Sequence, residues 1–148
     1  MIKKIILFSL LLLTSCGYQP IYNQINSNFE FYNLELKGNQ NLSKKILDNL
    51  NIVENSLDNT LNELIIKSNL SIEETSKNSR GITESFRSNL NIELKILKNN
   101  EVIDSQNFNE SFTYSDKNTR FELLEYQREI EEVLIKKISS RIELYLRK

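Results

Sequence analysis

The chain has 148 residues, with 19 basic and 20 acidic side chains, no histidine, no tryptophan and one cysteine. Near-neutral charge excludes the basic footprint of a nucleic-acid binder. The missing histidine and lone cysteine remove His-dependent triads, thiol chemistry and the usual zinc ligand sets, so that carboxylate chemistry is the main kind that remains.

Lys3 and Lys4 precede an apolar run from Ile5 to Leu13 that is broken only by Ser9. The run falls well short of the roughly 20 apolar residues that cross a bilayer as a helix. Small residues follow it, as in a secretory signal. It ends in Leu13-Thr14-Ser15-Cys16. This tetrad resembles the lipobox of bacterial lipoproteins, in which the thiol is joined to diacylglycerol, the chain is cut before the cysteine and the new amino group is acylated. The expectation is a signal peptide over residues 1–15 and a covalent diacylglycerol and N-acyl lipid on Cys16, with no other cofactor. A buried thiol at the end of an uncleaved anchor, or a free thiol pairing with another chain, are the alternatives. One acyl chain binds membranes marginally, whereas two or more anchor stably, so a lipidated Cys16 holds a soluble domain at a membrane surface. Gly17, not an acidic residue, comes next, which in the lipoprotein sorting pattern implies the outer membrane. Cleavage leaves residues 16–148, a size suited to one domain. Two of the 19 basic residues and none of the 20 acidic ones are lost, so the formal charge becomes −3.

Residues 16–28 are polar, hold the only proline, Pro20, and read as a tether. Tyr18, Ile21 and Tyr22 are its exceptions, suited to docking on the domain or resting at the bilayer surface. From Phe29 to Lys37 the alternation of Tyr32, Leu34 and Leu36 predicts a strand ended by Gly38; Phe29 and Phe31 lie on the other parity, so its start is bulged or packed on both sides. Leu42, Ile46, Leu50 and Val53 recur at helical spacing, with Asn41 or Ser43 as the cap. Leu64, Ile66, Leu70 and Ile72 carry a second strand, and Glu73 to Gly81 reads as a polar loop.

The third strand alternates most clearly. Phe86, Leu90, Ile92, Leu94 and Ile96 take even positions, and Arg87, Asn89, Asn91, Glu93 and Lys95 take odd ones, so one face is core and the other meets water or a polar partner. Val102, Phe108, Phe112 and Tyr114 share a parity in a fourth strand, and strands two to four form a meander. A three-residue loop, Lys98 to Asn100, would pair Ile96 with Val102, Leu90 with Phe108 and Phe86 with Phe112, keeping all of them on the core side. It requires positive φ at Asn100. From Asn118 onward Leu123, Tyr126, Ile130, Leu134, Ile138, Ile142 and Tyr145 step by three or four, which predicts a long amphipathic helix. Its polar face is mixed in sign, favouring core packing over the basic face of a membrane-surface helix.

The expected class is therefore α+β: two layers, a sheet of about four strands with two helices on one face, in the order β-α-β-β-β-α, within a single domain over residues 29–148. With the lipobox, Cys16-Gly17-Tyr18-Gln19-Pro20-Ile21-Tyr22, the helix from Asn41 to Leu50, Arg87 early in strand three and Ser111-Phe112-Thr113-Tyr114-Ser115 closing strand four, the chain resembles the LPS-assembly lipoprotein family, LptE. It departs from that pattern at Ser115, where Asn is common, and in a last helix poor in alanine. The resemblance implies a protein without catalysis. It would plug the β-barrel LptD, help that barrel fold, and help lipopolysaccharide reach the outer leaflet from a lipid-anchored position at the outer membrane.

A barrel lumen is polar, so Asn89 and Asn91 are candidate barrel contacts, against the plain alternative that they face water. Arg80, Arg87, Lys117 and Arg120 are candidate contacts for lipopolysaccharide phosphates, which a guanidinium grips bidentately; each is otherwise a solvated charge. Glu73-Glu74 lacks partners for acid–base catalysis and reads as a loop charge pair. Two rival functions remain open, a scaffold on another outer-membrane barrel and a periplasmic binding module for a small apolar ligand. Neither nucleic acid nor a metal is expected as a partner.

Overall fold

The strict alternation of the third predicted strand organises the structure, a computed structural model that describes residues 29–148. The signal peptide, Cys16 and the tether lie outside the described residues. The elements are β1 (Phe29–Phe31), β2 (Asn33–Gly38), α1 (Gln40–Leu50), β3 (Ile52–Glu54), β4 (Glu63–Lys77), β5 (Thr83–Lys98), β6 (Glu101–Ser115) and α2 (Arg120–Leu146). The main sheet has the order β2-β4-β5-β6: β2 runs parallel to β4, and the β4-β5-β6 meander is antiparallel. Both helices cover its even-numbered face, giving the expected two-layer α+β fold.

Leu64 and Ile66 of β4, Leu90, Ile92 and Leu94 of β5 and Phe108 and Tyr114 of β6 point into the core, where they meet Leu42, Ile46 and Leu50 of α1 and Ile130, Leu134, Ile138 and Ile142 of α2. The predicted stripe of α2 is the one buried. Ile135 is buried beside it, next to α1 residues Lys45 and Asp48. The interlayer space is thus filled by interdigitated side chains, as close-packed interiors are.

The structure corrects several boundaries. The first strand is two: the chain bends at Tyr32, and β1 pairs in parallel with β3 while β2 pairs with β4. That bend lets Phe31, on the wrong parity for β2, bury its ring. Helix α1 is capped by Asn39, whose Oδ1 accepts the Leu42 N–H at 3.2 Å, not by Asn41 or Ser43. It stops at Leu50 because Asn51 takes the left-handed conformation at φ 50°, leaving Val53 exposed in β3. Strand β4 runs on through the predicted loop to Lys77.

The β5–β6 register also differs. Asn99 and Asn100 both have positive φ, 52° and 64°, forming the two-residue mirror-image turn that asparagine favours. Leu97 then pairs with Val102, but Ile96 pairs with Asp104, so Ile103 is an extra residue and the ladder shifts there. The bulge restores even-to-even pairing, placing Leu90 opposite Glu110 and Phe86 opposite Tyr114. Positive φ at Asn100 holds; the expected pairings are displaced by one pleat, and Val102 leaves the core to become half exposed.

Candidate functional site

The odd-numbered face of the sheet carries no helix, and the register lines its side chains into rungs across three strands. Asn69, Asn91 and Asn109 form one rung, Ser71, Asn89 and Ser111 the next, and Glu73, Arg87 and Thr113 a third. Every side chain of these three rungs is polar. The two candidate barrel contacts thus sit at its centre, Asn89 half-buried between its neighbours and Asn91 exposed. In the isolated chain both face water.

Lysines gather at one side of this face. The parallel pairing sets Lys37 beside Lys67, and Lys67 lies opposite Glu93 on β5. Glu93 accepts from Lys95 at 2.7 Å. Its carboxyl is held below the ordinary carboxylate range by the Lys95 hydrogen bond first and that ammonium's charge second, with smaller help from Lys67 and Lys37. Sequence parity locates Glu93 and Lys95, but only the β2–β4 register adds Lys37 and Lys67.

The four candidate phosphate contacts are not one cluster. Because β4 and β6 end, and β5 and α2 begin, at the same end of the sheet, Arg80, Lys117 and Arg120 all lie at that tip. Arg80 sits in a turn built on Asn78, whose Oδ1 accepts the N–H groups of Arg80 and Ile82 at 3.0 and 3.1 Å; Gly81 supplies the required positive φ of 79°. The Lys117 ammonium stands 3.9 Å from the centroid of the Tyr126 ring, a cation–π contact. Arg120 opens α2 behind its cap, Thr119. Arg87 is apart from them, on the outer face, its Nε donating to Thr113 Oγ1 at 3.1 Å. The Arg80 and Arg120 guanidinium groups make no hydrogen bond or ion pair among the described residues.

Glu74 accepts from Lys77 at 2.9 Å, and its carboxyl is lowered by hydrogen bonds from Lys77 and then Thr83. A surface charge pair is the result. Among the described residues no group of acidic or sulfur side chains has the arrangement of a metal site, and no helix is long and apolar enough to cross a membrane. Sequence reasoning missed the exposed apolar side chains at the two ends of the sheet, Ile82 and Phe121 at the tip and Leu57, Ile103 and Leu144 at the other. Their periodicity places them in strands, helix or loop without saying that nothing covers them.

No family model matches the sequence, and a search of curated proteins finds no match. Comparison with solved structures does find relatives in fold. Rare lipoprotein B from Shewanella oneidensis aligns over 77% of this chain and 92% of its own, with 17% identity and a TM-score of 0.56. An uncharacterized lipoprotein B from Nitrosomonas europaea aligns over 79% of this chain and 81% of its own, at 11% identity and a TM-score of 0.59. A minor lipoprotein from Acinetobacter baumannii covers 79% of this chain and 89% of its own, at 12% identity and a TM-score of 0.51. At such identities the likeness is one of fold, and this two-layer domain has the fold of bacterial lipoproteins.

Proposed function

We propose that this chain is an outer-membrane lipoprotein, anchored through a lipidated Cys16, that plugs the lipopolysaccharide-translocating barrel LptD and helps it assemble. It works without catalysis, as a rigid polar body seated in a polar lumen. The observation that carries this reading is the uncovered sheet face, whose rungs of asparagine, serine and threonine offer hydrogen bonds to a barrel wall. The shared fold with lipoproteins and the tetrad ending in Cys16 support the anchor. The resemblance of the mature N-terminus and of the order of elements to the LptE family supports the choice of barrel. In this reading Arg80 and Arg120, whose guanidinium groups are unengaged at the tip, are the phosphate contacts best able to meet lipopolysaccharide; Arg87 and Lys117 must first give up Thr113 and Tyr126.

The test is capture of the tagged full chain from membranes. LptD should come down with it, and Asn91→Lys should weaken that recovery while changing the domain's own stability by no more than about 0.5 kcal/mol, as for bare surface. Depletion should lower assembled barrel and surface lipopolysaccharide together. Recovery of a different barrel would transfer the function to another assembly scaffold. Recovery of no barrel, with both levels unchanged on depletion, would overturn the reading.

A further inference from the structure

The end of the sheet opposite Arg80 is where β2 and β4 begin, β5 turns into β6 and α2 finishes. Three features there combine. The first is a set of apolar side chains in an otherwise polar surface: Leu57 is 97% exposed, Leu144 67%, and Val102 and Ile103 55% each. The β5–β6 turn presents Val102 and the bulge residue Ile103, and the last turn of α2 packs on β6, the Tyr145 and Phe108 rings meeting edge to face with centroids 5.8 Å apart.

The second is that Leu57 is held out by a built loop. The Asp58 N–H donates to the Asn55 carbonyl at 3.2 Å, and the Leu61 N–H to the Asp58 carbonyl at 3.3 Å. The Asp58 carboxylate accepts from the Thr60 N–H and hydroxyl at 3.0 and 2.6 Å. Asn55 fixes the loop to β1, its N–H donating to the Phe31 carbonyl at 2.8 Å and its side-chain amide to Glu30 at 2.9 Å. A leucine at the apex of so many hydrogen bonds is presented to whatever lies beyond.

The third is the point where the chain enters. The described residues begin at Phe29 in β1, at this same end, and only residues 16–28 separate it from Cys16. Even fully extended, thirteen residues reach no more than about 47 Å, so an anchored lipid keeps this end, and not the Arg80 tip roughly 50 Å farther along β5, at high effective concentration near the bilayer.

We propose that, in the chain not yet seated in a barrel, the tether end is a second, shallow lipid contact: Leu57, Ile103, Val102 and Leu144 rest among the headgroups of the phospholipid surface that holds Cys16, and so orient the free domain with its Arg80 tip pointing away. The nearby charges, Lys98, Glu101, Asp58 and Lys148, are mixed in sign, so the contact is apolar and does not depend on anionic lipid. This inference rests on the lipidated Cys16 of the proposed function, but not on the identity of the barrel.

The chain has no tryptophan, so a single introduced one reports alone. The full lipidated chain carrying Leu57→Trp, and separately Ile103→Trp or Phe121→Trp, is reconstituted into phosphatidylethanolamine–phosphatidylglycerol vesicles containing a phospholipid with a nitroxide, a short-range quencher, on its headgroup. All three positions are exposed, so the substitutions leave the core untouched. The expected result is flotation of every variant, strong loss of emission at residues 57 and 103, and none at residue 121 at the tip. Floating protein whose three reporters are quenched equally, or not at all, overturns the inference and leaves the anchor standing. Protein that does not float overturns the anchor and the inference together.

Discussion

Gly38 is the position where one methyl group should do most damage. It ends β2 at φ +72°, and a Cβ there would stand 2.3 Å from the Ser68 carbonyl oxygen, an atom of the neighbouring strand's backbone that cannot rotate away. Ordinary contact would need the strands to part by roughly 1 Å. Doing so stretches the Asn39 N–H to Ser68 carbonyl bond of 2.9 Å and disturbs the Ser68 hydroxyl, which donates to the Asn39 carbonyl at 2.7 Å and meets buried Ser43 at 2.7 Å. Left-handed backbone costs alanine about 1–2 kcal/mol, and an unmade buried hydrogen bond about 1–3 kcal/mol. The loss of backbone freedom in the unfolded chain returns about 0.4–1 kcal/mol. Gly38→Ala should therefore lose about 3 kcal/mol. Gly81→Ala is the internal control: its φ is +79°, but a Cβ there meets nothing within 4 Å, so it should lose only about 1 kcal/mol. Urea unfolding of residues 16–148 with Cys16→Ser measures both. With a slope of about 1–3 kcal/mol/M, the midpoint of Gly38→Ala should fall about 1 M below that of Gly81→Ala. Equal midpoints would refute the argument from strand contact.

The Tyr145 hydroxyl is buried and out of hydrogen-bond geometry with any described group; burial first, and then the nearby Asp104 carboxylate, push its pKa from 10.0 up to about 12. Its folded value lies above its unfolded one, so this contribution to stability is complete below pH 10 and is lost as pH rises toward 12. Tyr145→Phe should be neutral or stabilising at pH 7, because it removes a polar atom buried without a partner, and its urea midpoint should fall less between pH 10 and 12 than that of the parent; parallel pH curves would contradict this. At Asn100, φ 64° predicts that Asn100→Gly is tolerated while Asn100→Ala costs about 1 kcal/mol, read as a shift in thermal midpoint.

Much of the architecture is legible wherever burial is one-sided. The even face of β5 and the stripe of α2 declare themselves because helices cover one side of the sheet and water bathes the other. The β5–β6 register does not, since two signals in the same residues compete. Parity asks for an odd loop, Asn99-Asn100 asks for a two-residue turn, and the chain satisfies both by spending Ile103 as a bulge. Such a compromise is decided by packing along the whole ladder, beyond the reach of local pattern. The split at Tyr32 announced itself only as a clash of parities between Phe31 and Leu34. For the site, sequence identifies Asn89 and Asn91 as outward-facing, but the rungs that join them to Asn69, Asn109 and Ser111 exist only once the strands are aligned. The gathering of Arg80, Lys117 and Arg120 likewise follows from strand direction.

The parallel pairing of β2 with β4 sets an order of folding events. The β4-β5-β6 meander joins neighbours through tight turns and closes quickly, whereas β2 must wait for a partner that lies beyond α1, β3 and the Leu57 loop. During synthesis β2 would emerge first and yet stay unpaired until β4 has followed it. During that interval Leu34, Leu36 and the apolar side of α1 are uncovered. Chaperones have their clearest opportunity to engage the chain before β4 emerges, and the fold closes around β2 last.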